Sequence, residues 1–210
     1  MKNIFRHFLV VCTHRWYVFL NCCKLGIPFR GLVHDLSKFS FQEFFRSAKY
    51  FSGNCSPIIK ERRDNYLYSK IFIHHTRRNK HHYEYYIDEY RGDIVLSKIP
   101  HKILLEYVAD TISASKTYNK HNYTTDMPFK YFSKVSERMF MHSMSIEFVK
   151  KLLDEFSKNG FKNLKFKITK TLYETLSKEY SDTEMIELYS LNNKLNRIRI
   201  DQGIVEEKMR

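Results

Sequence analysis

A chain of 210 residues can bury a substantial core, and 43% hydrophobic with 28% charged residues excludes a disordered composition. Six glycines and four prolines beside 15 tyrosines and 17 phenylalanines argue against a turn-rich β architecture and for long helices, so the expected fold class is all-α, in one domain with at most a small appendage. The net charge of +13 draws anions, whether phosphate-bearing metabolites, nucleic acid or an acidic membrane leaflet, without choosing among them.

Cys12, Cys22, Cys23 and Cys55 form neither a disulfide framework nor a CxxC pair, which suits a reducing cytoplasm. Met1-Lys2 ahead of Phe8 to Cys12 imitates a secretion signal. Arg6 and His7 interrupt its start, however, and the bulky Val11 stands where a small residue should precede the cysteine, so no signal is expected. No stretch approaches the roughly 18 to 20 apolar residues of a bilayer span.

In chain order, Ile4 to Leu25 reads as one helix, with Phe8, Val11, Trp16, Phe19, Leu20 and Cys23 at three- and four-residue spacings and a stop at Gly26 and Pro28. His14 falls in its middle. Next comes a box, Gly31-Leu32-Val33-His34-Asp35-Leu36-Ser37-Lys38-Phe39-Ser40, expected at the end of a short helix or in its connecting turn. Ser40 and Glu43 have capping-box form and open a helix through about Tyr50. A loop at Ser52 to Pro57 and a helical segment from Ile58 to Tyr68 lead to a further helical stretch, Ser69 to Tyr90.

That stretch carries His74-His75 and His81-His82, each pair repeating after seven residues. Two helical turns rise about 10 Å, too far for one ion to be held from both ends, so the segment should bend near Arg78-Asn79 or serve more than one ion. Pro100 opens a helix from His101 to Lys120 on which Asp110 lies beside the apolar stripe. A buried carboxylate there needs a metal or a cationic partner such as Lys116. Helices are expected at Phe129 to Arg138, Ser145 to Lys158, Thr169 to Tyr180 and Asp182 to Arg197. Alternation over Phe161 to Lys170 suggests a short strand, and Asp201 to Arg210 a frayed tail.

The ordered set His14, His34-Asp35, His74/His75, His81-His82 and Asp110 resembles the HD superfamily of metal-dependent phosphohydrolases over residues 4 to 120. The Gly31 to Ser40 box together with Arg78-Asn79-Lys80-His81-His82 also resembles an uncharacterised bacterial and phage family of small HD-like proteins. Lys38 and the paired histidines are similar to the cyclic-dinucleotide phosphodiesterase branch, but Tyr85-Tyr86-Ile87-Asp88 stands where that branch has a Gly-Tyr-Pro loop. The resemblance implies an HD-domain-like helical bundle with additional C-terminal helices: a metal-binding core at 1–125, packed helices at 126–200 and a tail at 201–210.

It further implies that His14, His34, Asp35 and Asp110 hold a first divalent ion, and that Asp35 bridges to a second held by His75, His81 and His82. One to three ions are expected, Mn, Fe, Co or Ni ahead of Zn. Asp35 and Lys38 are the catalytic candidates, and Arg77, Arg78 and Lys116 the candidate phosphate clamps. The implied reaction is hydrolysis of a phosphomonoester or phosphodiester in an anionic, nucleotide-like substrate through a metal-activated water. The alternatives are an HD-fold diiron oxygenase and a non-catalytic protein that binds a nucleotide or nucleic acid. Oligomeric state is left open.

Overall fold

A computed structural model describes residues 2–53, 55–90, 93–180 and 186–190. The fold is all-α with one small sheet. Its elements are α1 (Lys2–Lys24), α2 (Pro28–Val33), α3 (Phe41–Tyr50), α4 (Pro57–Asp64), α5 (Lys70–Thr76), β1 (Ile87–Tyr90), β2 (Asp93–Ser97), α6 (His101–Asn119), α7 (Met127–Ser136), α8 (Ser143–Asn159), α9 (Phe166–Glu179) and β3 (Ile186–Ser190). The sheet is antiparallel in the order β1-β2-β3, with Ile87 opposite Leu96 and Leu96 opposite Glu187.

One hydrophobic core joins α1, α6 and the last three helices, while Ala48, Tyr50, Phe51 and Ile71 are buried outside it. Val18, Cys22 and Leu25 of α1 meet Leu104, Leu105, Val108 and Ala109 of α6, and these continue into Phe132, Phe148, Leu153 and Leu176 of the last three helices. The C-terminal helices thus share the core of α1 and α6. Among the described residues no helix is long and apolar enough to cross a membrane.

Two glycines set the approach of the box to α1. Gly26 (φ +78) ends α1 in the left-handed region that costs glycine nothing, and its missing Cβ would lie 2.9 Å from Cβ of Phe166. At Gly31 a Cβ would come within 2.7 Å of Cβ of Cys22 and 2.8 Å of Cα of Phe19. Only glycine lets α2 seat directly on the α1 backbone, and that contact carries the next residues, His34 and Asp35, over α1.

Several sequence expectations give way. The predicted helix Ser69 to Tyr90 is only α5: Asn79 ends it, its side-chain amide donating to the His75 carbonyl at 2.8 Å and to Ser37 Oγ at 2.7 Å. The chain therefore turns at Arg78-Asn79, then enters a 3-10 segment (Tyr83–Tyr86) and β1. Ile58 to Tyr68 is helical only to Asp64, because Tyr66 and Leu67 take positive φ. No strand forms over Phe161 to Lys170, whose second half opens α9 and buries Thr169. Ile186 to Ser190 pairs with β2 as a strand, against the helix expected over Asp182 to Arg197; the rest of that segment, and the tail 201–210, lie outside the described residues.

The helix at α1 is as expected, but the face is not. Phe8, Trp16 and Leu20 are exposed, whereas the buried side carries Val11, Val18, Cys22 and Leu25 together with His7, His14 and Asn21. The polar members have partners within the bundle: Asn21 donates to Ser113 Oγ at 2.9 Å, and His14 meets Asp110.

Candidate metal centre

Five separate segments bring the candidate ligands together. His14 comes from mid-α1 and Asp110 from mid-α6, His34 and Asp35 from the turn after α2, His75 from the end of α5, and His81 and His82 from the turn that Asn79 makes. Asp35 adopts φ 52, ψ 31, a left-handed conformation that aspartate tolerates better than most residues, and its side chain is 1% exposed. Arg15 holds the turn in place by donating to the His34 carbonyl at 2.8 Å and the Leu32 carbonyl at 3.0 Å.

The donor atoms converge on Asp35. Its Oδ1 lies 3.3 Å from His75 Nε2 and 3.4 Å from His81 Nε2, while its Oδ2 lies 3.2 Å from His34 Nε2. Asp110 Oδ1 is 3.0 Å from His14 Nε2 and 3.8 Å from His34 Nε2. Two donor sets result: His14, His34 and Asp110 on one side, and Asp35, His75, His81 and His82 on the other, each with its atoms within 4.8 Å of one another. Donors about 2.1 Å from a shared ion and at right angles to it lie about 3.0 Å apart, so the observed spacings are those of ligand shells. Asp35 Oδ1 and Nε2 of His34, His81 and His82 are buried without a well-formed hydrogen bond, and Asp35 Oδ2 has the Lys38 ammonium beside it. Buried polar atoms seldom go unsatisfied, and these lone pairs point at one another across a space that a cation would fill.

Two carboxylates not assigned to the site from sequence orient this shell. Glu106 Oε1 sits 3.0 Å from His34 Nδ1 and 3.3 Å from His81 Nδ1, and its Oε2 receives Arg30. Glu43 Oε1 sits 2.7 Å from His75 Nδ1. In all three histidines the carboxylate takes Nδ1 and leaves Nε2 for the interior, the arrangement by which outer carboxylates fix the tautomer of a metal-binding imidazole. His34, His81 and Glu106 also cluster closely enough to hold an ion, but they do so on the Nδ1 side, where Arg30 already balances Glu106. Of His74 and His75, only His75 reaches Asp35; His74 Nδ1 packs on Glu43 Oε2 at 3.1 Å.

The electrostatics favour positive charge. Burial raises the cost of ionising Asp35, yet His34, Lys38, His75 and His81 hold it well below the usual carboxylate range. Burial likewise opposes ionisation of Asp110 and Glu106, and the histidines outweigh it, with Glu106 brought to about 2. Glu43 is held low against burial by its bond to His75. Burial keeps His14 and His82 neutral, the form that binds metal. At His34 burial is overcome by Asp35, Glu106 and Asp110, which push it up to about 9. Four ionised carboxylates thus face three cations, Lys38, Arg30 and a protonated His34, and a bound divalent ion would take the place of the His34 proton. Cys22, the nearby buried thiol, is pushed up by burial and then by Glu106 and Asp110, so the site offers nitrogen and oxygen donors without thiolate.

A cavity opens onto the centre. Lys38, His14, His75, His82 and Asp110 form its polar wall, and Val10, Val11, Phe51, Pro57, Ile58 and Ile71 its apolar one. Lys38 Nζ lies 2.6 Å from Asp35 Oδ2 and stays charged, since Asp35 and Asp110 more than offset burial. His7 also faces this cavity, with its ring between Phe44 and Phe51 and its Nδ1 unpartnered. Arg77, Arg78 and Lys116 do not line it. The two arginines follow the end of α5 and are exposed, and the Lys116 ammonium lies 4.4 Å over the Tyr17 ring. The cation placed at the Asp35 end of the cavity is Lys38.

Among known proteins, a family described as "Family of unknown function (DUF5662)" matches residues 3–155, a span that contains all the candidate ligands. No curated protein and no solved structure matches the chain.

Proposed function

The chain belongs to the family of unknown function DUF5662, and from the chemistry of its own site we propose that it is a metal-dependent phosphohydrolase acting on a phosphomonoester or phosphodiester of a nucleotide-like substrate. One observation carries this reading: Asp35 presents one oxygen to each of two nitrogen-rich donor sets, with the Lys38 ammonium beside it in the same cavity. The order of the ligands, which resembles that of the HD superfamily, supports it further. Imidazole and carboxylate without thiolate suit Mn, Fe, Co or Ni.

His14, His34 and Asp110 would hold one ion and His75, His81 and His82 a second, with Asp35 between them. Divalent ions so bound supply Lewis acidity, lowering the pKa of a water and polarising the phosphoryl oxygens. Lys38 offsets the negative charge that grows on the phosphoryl group, and its ion pair with Asp35 keeps the ammonium in place before substrate arrives. Glu43 and Glu106 keep the Nδ1 protons and so reserve Nε2 of three rings for the ions. The apolar wall excludes water from the organic part of the ester. The four cysteines, all free thiols, fit the cytoplasm.

The test is a panel of nucleotides, cyclic dinucleotides and generic phosphate esters, assayed for phosphate or nucleotide release after reconstitution with each metal. Turnover with Mn, Fe, Co or Ni is expected. A fully loaded protein that turns over nothing on the panel removes hydrolysis. Oxygen consumption confined to the iron form would move the assignment to oxidation.

A further inference from the structure

Because α1 turns its His14 side inward, it leaves Phe5, Leu9, Trp16 and Leu20 exposed. Their spacings of four, seven and four place them on one stripe of the helix. The apolar surface continues onto its neighbours, where Phe29, Leu32, Leu36, Phe41 and Phe45 are also exposed. These pieces are joined: Phe8 packs edge-on against Phe39, whose ring lies under the Arg15 guanidinium at 5.0 Å, and Phe41 packs on Phe45 at 4.8 Å. A shallow groove lined by Ile4, Phe5, Phe8 and Phe44 opens between α1 and α3. Most of the exposed large apolar side chains of the described residues lie between Ile4 and Phe45. An apolar surface of this extent is uncommon on a monomer without a binding role.

Charge says what covers it. Residues 1–60 contain only two acidic side chains, Asp35 and Glu43, and both turn into the metal centre, 1% and 2% exposed. Arg6, Lys24 and Lys49 are exposed and Arg15 is half-buried; among the described residues none of the four pairs with a carboxylate. Within residues 1–60 the face is therefore apolar, with cations and no exposed carboxylate beside it. A second copy seated face to face would set cation against cation. A nucleic acid would match the charge but leave Leu9, Leu20 and Leu32 without an apolar partner. Apolar side chains flanked by lysine and arginine match the boundary between acyl chains and anionic headgroups.

We propose that this face binds the surface of an anionic phospholipid bilayer, with α1 lying in the headgroup plane. Phe5, Leu9, Trp16 and Leu20 enter the acyl boundary, and Arg6, Arg15 and Lys49 meet lipid phosphates. The attachment is peripheral, and it needs neither bound metal nor turnover.

Trp16 is the sole tryptophan, so its fluorescence reports on this face alone. The full chain is mixed with vesicles of phosphatidylcholine and phosphatidylserine in equal parts, or of phosphatidylcholine only, and followed by Trp16 emission and co-sedimentation. A blue shift and pelleting with the anionic vesicles are expected, weakened by added salt, with far less of either on phosphatidylcholine. L9S/L20S should lower the partition by about tenfold or more through lost apolar burial. R6E/K49E should lower it while leaving the apolar stripe intact; circular dichroism and metal content identify any variant that fails to fold. Unchanged emission with the protein left in the supernatant overturns the proposal. So does equal binding to both vesicles, binding that survives both double substitutions, or a dimer whose Trp16 is already shielded and ignores vesicles.

Discussion

Glu106 shows how a residue without an evident role can set the chemistry of a centre. It holds Nδ1 of both His34 and His81, so it fixes two ring orientations and belongs to both donor sets by proxy. Glu106→Gln keeps the size but no longer favours the Nδ1-H tautomer so strongly. Loss of such an outer partner typically costs about 10- to 100-fold in metal affinity. Competition with a chelator for Mn or Ni should show that loss in E106Q, and an unchanged affinity would remove the orienting role. Glu43 was hidden for a different reason. Ser40 Oγ does accept from the Glu43 backbone N–H at 3.3 Å, as a capping box requires, but the carboxylate goes to His75, His74 and Ser37 instead of returning to the cap. Local pattern explained Glu43 fully, and only the tertiary approach of α5 reveals its second task. His34, Asp35 and Asp110 were legible because their residue types are costly to bury alone and their order along the chain is informative.

Helix limits were more readable than helix faces. The stop at Gly26, the opening at Ser40 and the start at Pro100 follow from caps and glycine, which act within a few residues. The inward face of α1 is decided elsewhere, by Asp110 and Ser113 of α6, which offer partners to His14 and Asn21. A tally of apolar side chains therefore selected the side that stays outside. The seven-residue histidine repeat was more informative: two turns of continuous helix would hold the pairs too far apart for one ion, which called for a bend near Arg78-Asn79. There Asn79 turns the chain and brings His75 and His82 within 4.6 Å, ring to ring. Gly31 is the most sensitive point in this assembly. Gly31→Ala forces a methyl against the α1 backbone, and overpacking of that kind costs about 1–3 kcal/mol. Urea denaturation should show the loss, together with weaker metal retention as His34 and Asp35 are displaced. Wild-type stability in G31A would mean that α2 does not seat on α1 as described.

For the molecule as a whole, acid should act on the core as well as on the candidate metal centre. His101 lies among Phe148, Phe166 and Tyr173, with Nε2 3.0 Å from Thr169 Oγ1. Burial first, then Lys170, lowers its pKa from 6.5 to about 4. A histidine lowered in the folded state binds its proton more readily when unfolded, so its contribution is complete above about pH 6.5 and is lost as the pH falls towards 4. His101→Gln removes that proton uptake. The fall in urea midpoint between neutral and mildly acidic pH should be smaller in H101Q than in the wild type, and an equal fall would place the acid sensitivity elsewhere.

The account turns on Asp35 as the residue shared by two ion sites. Elemental analysis of the purified chain beside Asp35→Ala and His34→Ala tests this directly. The wild type is expected to hold up to two Mn, Fe, Co or Ni ions per chain, with D35A losing metal from both sets and H34A chiefly from the set with His14 and Asp110. Metal content in D35A and H34A equal to that of the wild type would contradict the metal centre and the function drawn from it.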